Sequence, residues 1–254
     1  MSHNIKLLIL LAVVMLAALL VYQFRFSHAD ALWKIVSQQC VPHMEQEHNP
    51  QPCVEVDTPA GFVVFKDKNG PLQYLLMPTA KISGIESPQL LAASSPNYFF
   101  DARQARHFMA DKYGAPIDDA DISLAINSKF GRSQDQLHIH ISCLKPAVKT
   151  ALAAQETDFR QQWQPLPGGL LGHDYLVRRT TAAELQQSGA FRLLASEVPG
   201  AQDEMGRYGL AMTALPDGQF LLLASKASLT KLHRASVEEL QDHSCQLLPQ
   251  PPIH

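Results

Sequence analysis

The chain has 254 residues, of which 46% are hydrophobic, and a formal net charge of −3 at neutral pH. This length is enough for one large hydrophobic core or two smaller ones. The charge gives no support to binding of nucleic acid, because the longest basic cluster is the pair Arg178-Arg179. We expect these two arginines to lie on a solvated strand edge.

The first element in chain order is an apolar segment, residues 5–22, whose single charge is that of Lys6. A stretch of about 18 residues is near the lower limit for a transmembrane helix and exceeds a typical signal-peptide core. We therefore predict an uncleaved membrane anchor within residues 1–29. The alternative is a cleaved signal peptide, since Ser27-His28-Ala29 has the small-x-small form of a cleavage site. With either an anchor or a cleaved signal peptide, the rest of the chain is exported.

Four further elements follow from the spacing of apolar and turn residues. A short helix is predicted over residues 31–39. A β-hairpin is predicted over residues 61–78, with Asn69-Gly70 at its turn. A helix then begins at Asn97 and ends at Gly114, and a strand covers residues 121–127.

Residues 136–143 alternate between polar and apolar side chains, which predicts a β-strand with two different faces. The polar face carries Gln136, His138, His140 and Ser142, and the apolar face carries Leu137, Ile139 and Ile141. Two imidazoles at positions i and i+2 lie close enough for one to attack phosphorus or carbon while the other positions a substrate oxyanion or the attacking ring. Two alternatives stay open: a pair of histidines on a solvated face, and a metal-ligand pair that lacks a third ligand nearby in the sequence.

The second half of the chain repeats part of the first. A strand, a turn and a strand over residues 208–224 match the first hairpin, with Gly209 and Gly218 at the offsets of Gly61 and Gly70. This match indicates a duplication, with a coincidental similarity of hairpins as the alternative. No second histidine strand follows, so we expect the second copy to be structural.

A helix is expected to begin at Ser236, because Glu239 three residues later completes a capping box. The chain thus divides into an anchor over residues 1–29, a catalytic half over residues 30–150 and a second half over residues 151–254.

The four cysteines, Cys40, Cys53, Cys143 and Cys245, agree with export, because an even number is expected to pair in an oxidising compartment. Cys40 and Cys53 flank a polar, proline-containing segment that a disulfide would close into a loop. A second bridge would tie Cys245, in a predicted C-terminal helix, to Cys143 beside the histidine strand. Four buried free thiols are the alternative.

Several segments together resemble the histidine-triad (HIT) superfamily. These are residues 73–85, then Asn127 followed by a glycine-containing turn and Gln134, and then His138-Ile139-His140. With the anchor, the cysteines and residues 163–173, the resemblance narrows to the CDP-diacylglycerol pyrophosphatase family. It implies an α+β fold: a HIT-like antiparallel sheet with flanking helices, partly duplicated, plus one N-terminal transmembrane helix.

The resemblance implies hydrolysis of CDP-diacylglycerol to CMP and phosphatidate through a nucleotidyl-histidine intermediate, without a cofactor or a metal. It also implies that CDP-diacylglycerol and other nucleotide diphosphate lipids are substrates. The expected location is the bacterial inner membrane, with the globular part in the periplasm. The alternatives are a transferase that passes CMP to an acceptor other than water, and a non-catalytic envelope binding protein.

The resemblance also implies roles for individual residues. Counting from Asn127 makes His140 the nucleophile, with His138 before it and Ser142 in the third position, and we favour this register. The other register takes Gln136, His138 and His140 as the triad and makes His138 the nucleophile.

Supporting roles are expected for residues outside the histidine strand. Asn127 and Gln134 are expected to line the nucleotide and phosphate pocket, and Lys81 to contact phosphate. A flexible loop with Gly168-Gly169 and His173 is expected to cover the lipid diphosphate.

Overall fold

The computed structural model describes residue 11, residues 13–16 and residues 29–249. The predicted anchor, residues 5–22, lies mostly outside these residues. In the part of the chain that is described, no helix combines the length and the apolar character needed to cross a membrane.

A single antiparallel sheet organises the chain. Its strands are β1 Cys53–Asp57, β2 Phe62–Lys66, β3 Tyr74–Pro78, β4 Ile122–Ile126, β5 Ile139–Leu144, β6 Gln164–Pro165, β7 Leu176–Thr180, β8 Tyr208–Ala214, β9 Phe220–Lys226 and β10 Gln241–Asp242. Nine of them lie in the order β1-β2-β3-β5-β4-β8-β9-β7-β6, and β10 pairs with the end of β5 that β3 does not reach.

Short helices connect and cover these strands. They are α1 Ala31–Ile35, α2 Val41–Glu47, α3 Tyr98–Ala105, α4 His107–Tyr113, α5 Pro146–Ala153, α6 Ala182–Ser188 and α7 Ala190–Glu197. A π-helical turn, Val36–Cys40, joins α1 to α2. The expected α+β fold with a large antiparallel sheet is therefore confirmed.

The elements predicted for the first half are present with two differences: the helix predicted from Asn97 to Gly114 is divided into α3 and α4, and the histidine strand begins at Ile139 rather than at Gln136. The hairpin pairs Phe62 with Pro78 and Lys66 with Tyr74. The Asn97 side chain caps α3 by accepting a hydrogen bond from Phe100 N, and Gly114 ends α4 with a φ of 82°. A left-handed residue of this kind suits glycine, which has no Cβ to clash.

The two faces of the sheet carry different cores. One face holds a continuous apolar core beneath α3 and α7, which includes Ile139 and Ile141. The opposite face has two smaller cores, one around Ala125 and one around Leu75. His140 pairs with Leu75 on one side and Ala125 on the other, so it lies between those two cores.

The predicted C-terminal helix is wrong. The chain forms only a 3₁₀ turn, Val237–Leu240, and Ser236 makes no side-chain cap. The Asn127 side chain instead accepts the hydrogen bond from Glu238 N at 3.0 Å. The chain then becomes extended as β10, and these tertiary contacts replace the local capping box.

Both expected disulfides are present, Cys40–Cys53 and Cys143–Cys245. Cys245 lies in a turn after β10, so the prediction that it lies in a C-terminal helix is wrong. Two disulfides indicate a compartment outside the cytoplasm.

The expectation for Arg178 is wrong. Its side chain is 4% exposed and pairs with Glu184 and Glu197, each at 2.6 Å. These carboxylates come from α6 and α7, so the guanidinium joins two helices to β7. Arg179 is more accessible and pairs with Asp217 at 3.1 Å.

Candidate active site

A cleft of about 480 Å³ opens over the histidine strand on the sheet face between the two smaller cores. His138 and His140 form part of its lining, together with Asn127 and Glu238. The opposite wall comes from α1, and Lys66 and other residues of the β2–β3 turn contribute to the rim. The two predicted histidines therefore face a space large enough for a ligand.

His138 is buried, and its Nδ1 lies 2.6 Å from the backbone oxygen of Gln136. A carbonyl oxygen only accepts, so Nδ1 carries the proton and Nε2 keeps its lone pair. Burial lowers the pKa of His138, although the hydrogen bond to Gln136 opposes that shift. The ring is therefore neutral at neutral pH, with a free basic nitrogen.

His140 has the opposite tautomer. Its Nδ1 lies 2.9 Å from Nε2 of Gln73, and the same Nε2 lies 3.0 Å from the Asp67 carboxylate. Because a carboxylate accepts, Gln73 must present its NH₂ group to both partners. His140 Nδ1 is then an acceptor, and the proton of the neutral ring is on Nε2.

Burial, the neighbouring His138 and the nearby His243 lower the pKa of His140 to about 3, against the opposing charge of Glu238. Its Nε2 is buried and has no hydrogen-bond partner among the described residues. The two imidazoles have ring centroids 4.9 Å apart and planes at 69°. An unpartnered N–H beside a free ring nitrogen can bind an anionic oxygen while its neighbour attacks.

Glu238 links the histidine strand to the end of the chain. Its carboxylate accepts from Asn127 Nδ2 at 3.1 Å and lies 3.1 Å from Nε2 of His243. The other nitrogen of His243 lies 3.2 Å from Ser142 Oγ, and Glu238 lies 3.4 Å from His140 Nδ1.

Burial alone would raise the pKa of Glu238, but the hydrogen bond with His243, the nearby His140 and the bond from Asn127 lower it to about 2. Glu238 is therefore an anion at neutral pH. The cleft contains a fixed negative charge beside two neutral imidazoles.

The predicted substrate-binding residues fall in different places. Asn127 and Gln134 line the cleft, and Gln134 also accepts from Leu32 N at 3.2 Å. Gln136 turns away and donates to the backbone oxygens of Pro78 and Ala80 at 2.9 and 3.0 Å.

Two other predicted residues lie outside the cleft lining. Ser142 is buried beneath His243. Lys81 lies on the surface in an ion pair with Asp30 at 3.0 Å. Their predicted contacts with substrate are not visible in this arrangement.

The loop around His173 does not line this cleft. His173 Nδ1 lies 2.8 Å from Glu239, and its ring centroid lies 3.9 Å from that of His233. Both histidines line a separate cavity beyond β9. Among the described residues, no group of three or more His, Cys, Asp or Glu side chains is placed to hold a metal ion.

Sequence reasoning missed Gln73, Glu238 and His243. The predicted bridge to Cys143 was the available signal, since it brings Cys245 and its neighbour His243 to the histidine strand. Gln73 is fully buried at the start of an apolar strand, and a polar residue in that position requires a partner.

The described residues form an α+β protein in which two neutral imidazoles lie in a cleft on one face of the sheet. The family model described as CDP-diacylglycerol pyrophosphatase matches residues 27–249. The chain is also 72% identical over 257 residues to the Yersinia pestis protein named CDP-diacylglycerol pyrophosphatase, covering all of both chains. The chain belongs to the CDP-diacylglycerol pyrophosphatase family, which confirms the predicted enzyme class and activity.

Proposed function

We propose that His138 is the nucleophile in the hydrolysis of CDP-diacylglycerol to CMP and phosphatidate. The observation that carries this proposal is the hydrogen bond from His138 Nδ1 to Gln136 O, because it leaves Nε2 with a free lone pair in a neutral ring. A neutral imidazole attacks without prior deprotonation.

In the first step, His138 Nε2 forms a bond to the cytidylyl phosphorus, and the bond from that phosphorus to the bridging oxygen breaks. Phosphatidate leaves with the electron pair of that bond. In the second step, water attacks the same phosphorus, the P–N bond breaks, and CMP leaves with one proton released. No oxidant or reductant is needed.

His140 supplies the complementary function. Its Nε2–H is buried without a partner among the described residues and lies beside the nucleophile, so we propose that it donates to a non-bridging oxygen of the attacked phosphate. Charge that develops on that oxygen is stabilised by a donor already in place. This assignment favours the register Gln136, His138, His140 over the one that makes His140 the nucleophile.

Asn127 and Glu238 act as positioning residues in this proposal. Asn127 contacts both the Glu238 carboxylate and its backbone N–H, so the two hold each other at the cleft. Gln134 is proposed to contact the nucleotide from the cleft wall, and no contact with substrate is proposed for Lys81 or Ser142, which lie outside the cleft lining.

We also propose that residues 30–150 and 151–254 are related HIT-like halves. The order β3-β5-β4, with α3 and α4 between β3 and β4, recurs as β7-β9-β8 with α6 and α7 between β7 and β8. On the face that carries His140, β9 has Leu221 and Leu223 in a packed core. The second half is therefore structural. By position, its hairpin corresponds to β4–β5 rather than to β2–β3.

The proposed location is the bacterial inner membrane, with residues 5–22 as a single-pass anchor and the globular part in the periplasm. The two disulfides support the periplasmic side. A tethered enzyme meets a lipid substrate at high effective concentration, which is how the anchor would serve the reaction.

The test is CMP release by His138→Ala and His140→Ala. His138→Ala is expected to lose at least about 10³-fold in kcat because the nucleophile is gone, and His140→Ala about 10²-fold to 10³-fold because one donor to the phosphate is gone. The exposed His107 on α4 offers a matched control, and His107→Ala should keep full activity.

Retention of activity by His138→Ala, with loss in His140→Ala, would overturn the assignment in favour of the other register. Product analysis with added alcohols separates hydrolysis from transfer. A CMP ester in place of free CMP would identify a transferase.

A further inference from the structure

A tight turn formed by residues 228–233, here called the leucine tip, presents two leucines to solvent. Leu229 is 90% exposed and Leu232 is 91% exposed. Ser228 and His233 close the turn with two backbone hydrogen bonds of 2.8 and 2.9 Å. The fold thus holds two large apolar side chains away from every core.

A third apolar side chain lies beside the leucine tip. Phe130 is 48% exposed and lines, with both leucines, a groove of about 560 Å³. Arg234 Nε donates to Phe130 O, which fixes the two segments against each other. Exposed apolar clusters of this kind mark interaction surfaces.

Basic side chains surround this cluster. They are Lys129, Arg207, Lys226, Lys231 and Arg234. Glu204 pairs with Arg207 and Lys226, and Asp174 pairs with Lys231, in surface ion pairs. Lys129 and Arg234 make no ion pair with any described residue. Glu86 lies beside Lys129 at Gly206 and is paired with Arg132, so it does not neutralise these cations. The cations therefore exceed the carboxylates near the leucines, and this excess of positive charge complements an anionic surface.

One loop, residues 128–135, contributes to the apolar groove, to the catalytic cleft and to the start of the globular part. Phe130 lines the apolar groove and Gly131 lines the catalytic cleft. Asp135 N donates to Ala29 O at 2.6 Å. The predicted anchor ends at residue 22, and a linker of seven residue steps reaches at most about 25 Å. The proposed anchor would therefore place the bilayer surface within about 25 Å of Ala29 and so near this loop.

From these observations we propose that the leucine tip and Phe130 insert into the interface of an anionic phospholipid bilayer and hold the cleft against the surface where the substrate lies. Leucines would enter the acyl boundary and the surrounding cations would meet lipid phosphates. This inference rests on the proposed membrane location and the proposed reaction, and it adds the surface that docks.

The test uses the full-length chain reconstituted in vesicles of phosphatidylcholine and phosphatidylglycerol that contain CDP-diacylglycerol. The variant Leu229→Ser with Leu232→Ser should lose at least about tenfold in kcat/KM, because the apolar contact with the bilayer is lost. The matched variant Leu229→Phe with Leu232→Phe keeps an apolar tip and should keep activity. A short-chain, water-soluble CDP-diacylglycerol should be hydrolysed equally by all three proteins.

A second measurement reports insertion directly. Fluorescence of a Leu229→Trp chain should be quenched by brominated acyl chains more than that of the unchanged chain, which has Trp33 and Trp163. Equal quenching, or full vesicle activity in the double serine variant, would overturn the proposal and leave the tip free for another partner. If the unchanged chain did not hydrolyse the soluble substrate, the result would instead contradict the proposed reaction.

Discussion

His138 and His140 are two residues apart, and yet their hydrogen bonds hold the two rings in opposite tautomers. The backbone at Gln136 fixes the proton of His138 on Nδ1, and the Gln73 amide fixes that of His140 on Nε2. One ring thus offers a lone pair and the other a donor. Alternation along the strand predicted that both rings share a face, but the tautomers depend on Gln73, which is 67 residues away from His140 in sequence.

The pH dependence of the reaction follows from these buried rings. Protonation of His138 removes the lone pair that attacks phosphorus. Burial holds the pKa of His138 below the usual 6.5, and the pKa of His140 is about 3. The neutral forms therefore persist to lower pH than in a free histidine. The acid limb of kcat/KM should have its midpoint below pH 6.5. A midpoint of the acid limb at or above pH 6.5 would contradict the burial of the two rings.

At the scale of elements, the end of the chain completes the site. The 3₁₀ turn Val237–Leu240 and β10 bring Glu238 and His243 over β5. Local pattern predicted a helix here, because a capping box is visible in sequence while the competing bond to Asn127 spans 111 residues. Strands and helices with strong local signals were predictable, and this segment, held by distant partners, was not.

The turn of the β2–β3 hairpin supports that segment. A Cβ on Gly70 would lie 2.3 Å from His243 O, and its φ is +68°. Gly70→Ala should lower the free energy of unfolding by about 1–2 kcal/mol from the left-handed backbone and by about 1–3 kcal/mol more from overpacking, and it should reduce activity by displacing His243.

Gly218 gives the matched control, since its φ is +81° and no atom of the described part of the chain lies within 4 Å of its Cβ position. Gly218→Ala should show only the backbone cost in a denaturant titration and keep full activity. Equal losses of stability in the two variants would mean that the contact with His243 does not exist.

Over the whole molecule, the bridge Cys143–Cys245 joins residues 102 apart and fixes the C-terminal segment to the histidine strand. The bridge Cys40–Cys53 spans only 13 residues. Both pairings followed from parity and compartment. The order of strands in the sheet could not be predicted in this way, because β10 pairs with β5 through contacts that no local sequence pattern reveals.

The difference in loop length gives a stability prediction. Replacing Cys143 and Cys245 together by alanine should lower the free energy of unfolding by about 4–5 kcal/mol, and replacing Cys40 and Cys53 by about 3 kcal/mol, since a longer closed loop restricts the unfolded chain more. Urea titrations of the oxidised proteins measure both. A larger loss for the short loop would contradict this assignment of their roles.

Capture of the covalent intermediate shows directly whether His138 is the nucleophile. CDP-diacylglycerol labelled at the cytidylyl phosphorus is mixed with enzyme and quenched in denaturing alkali, where a phosphohistidine-type bond survives, and the labelled peptide is fragmented. We predict one cytidylyl group on His138 and none in His138→Ala. Label on His140, or full turnover with no labelled protein at any time after mixing, would contradict it.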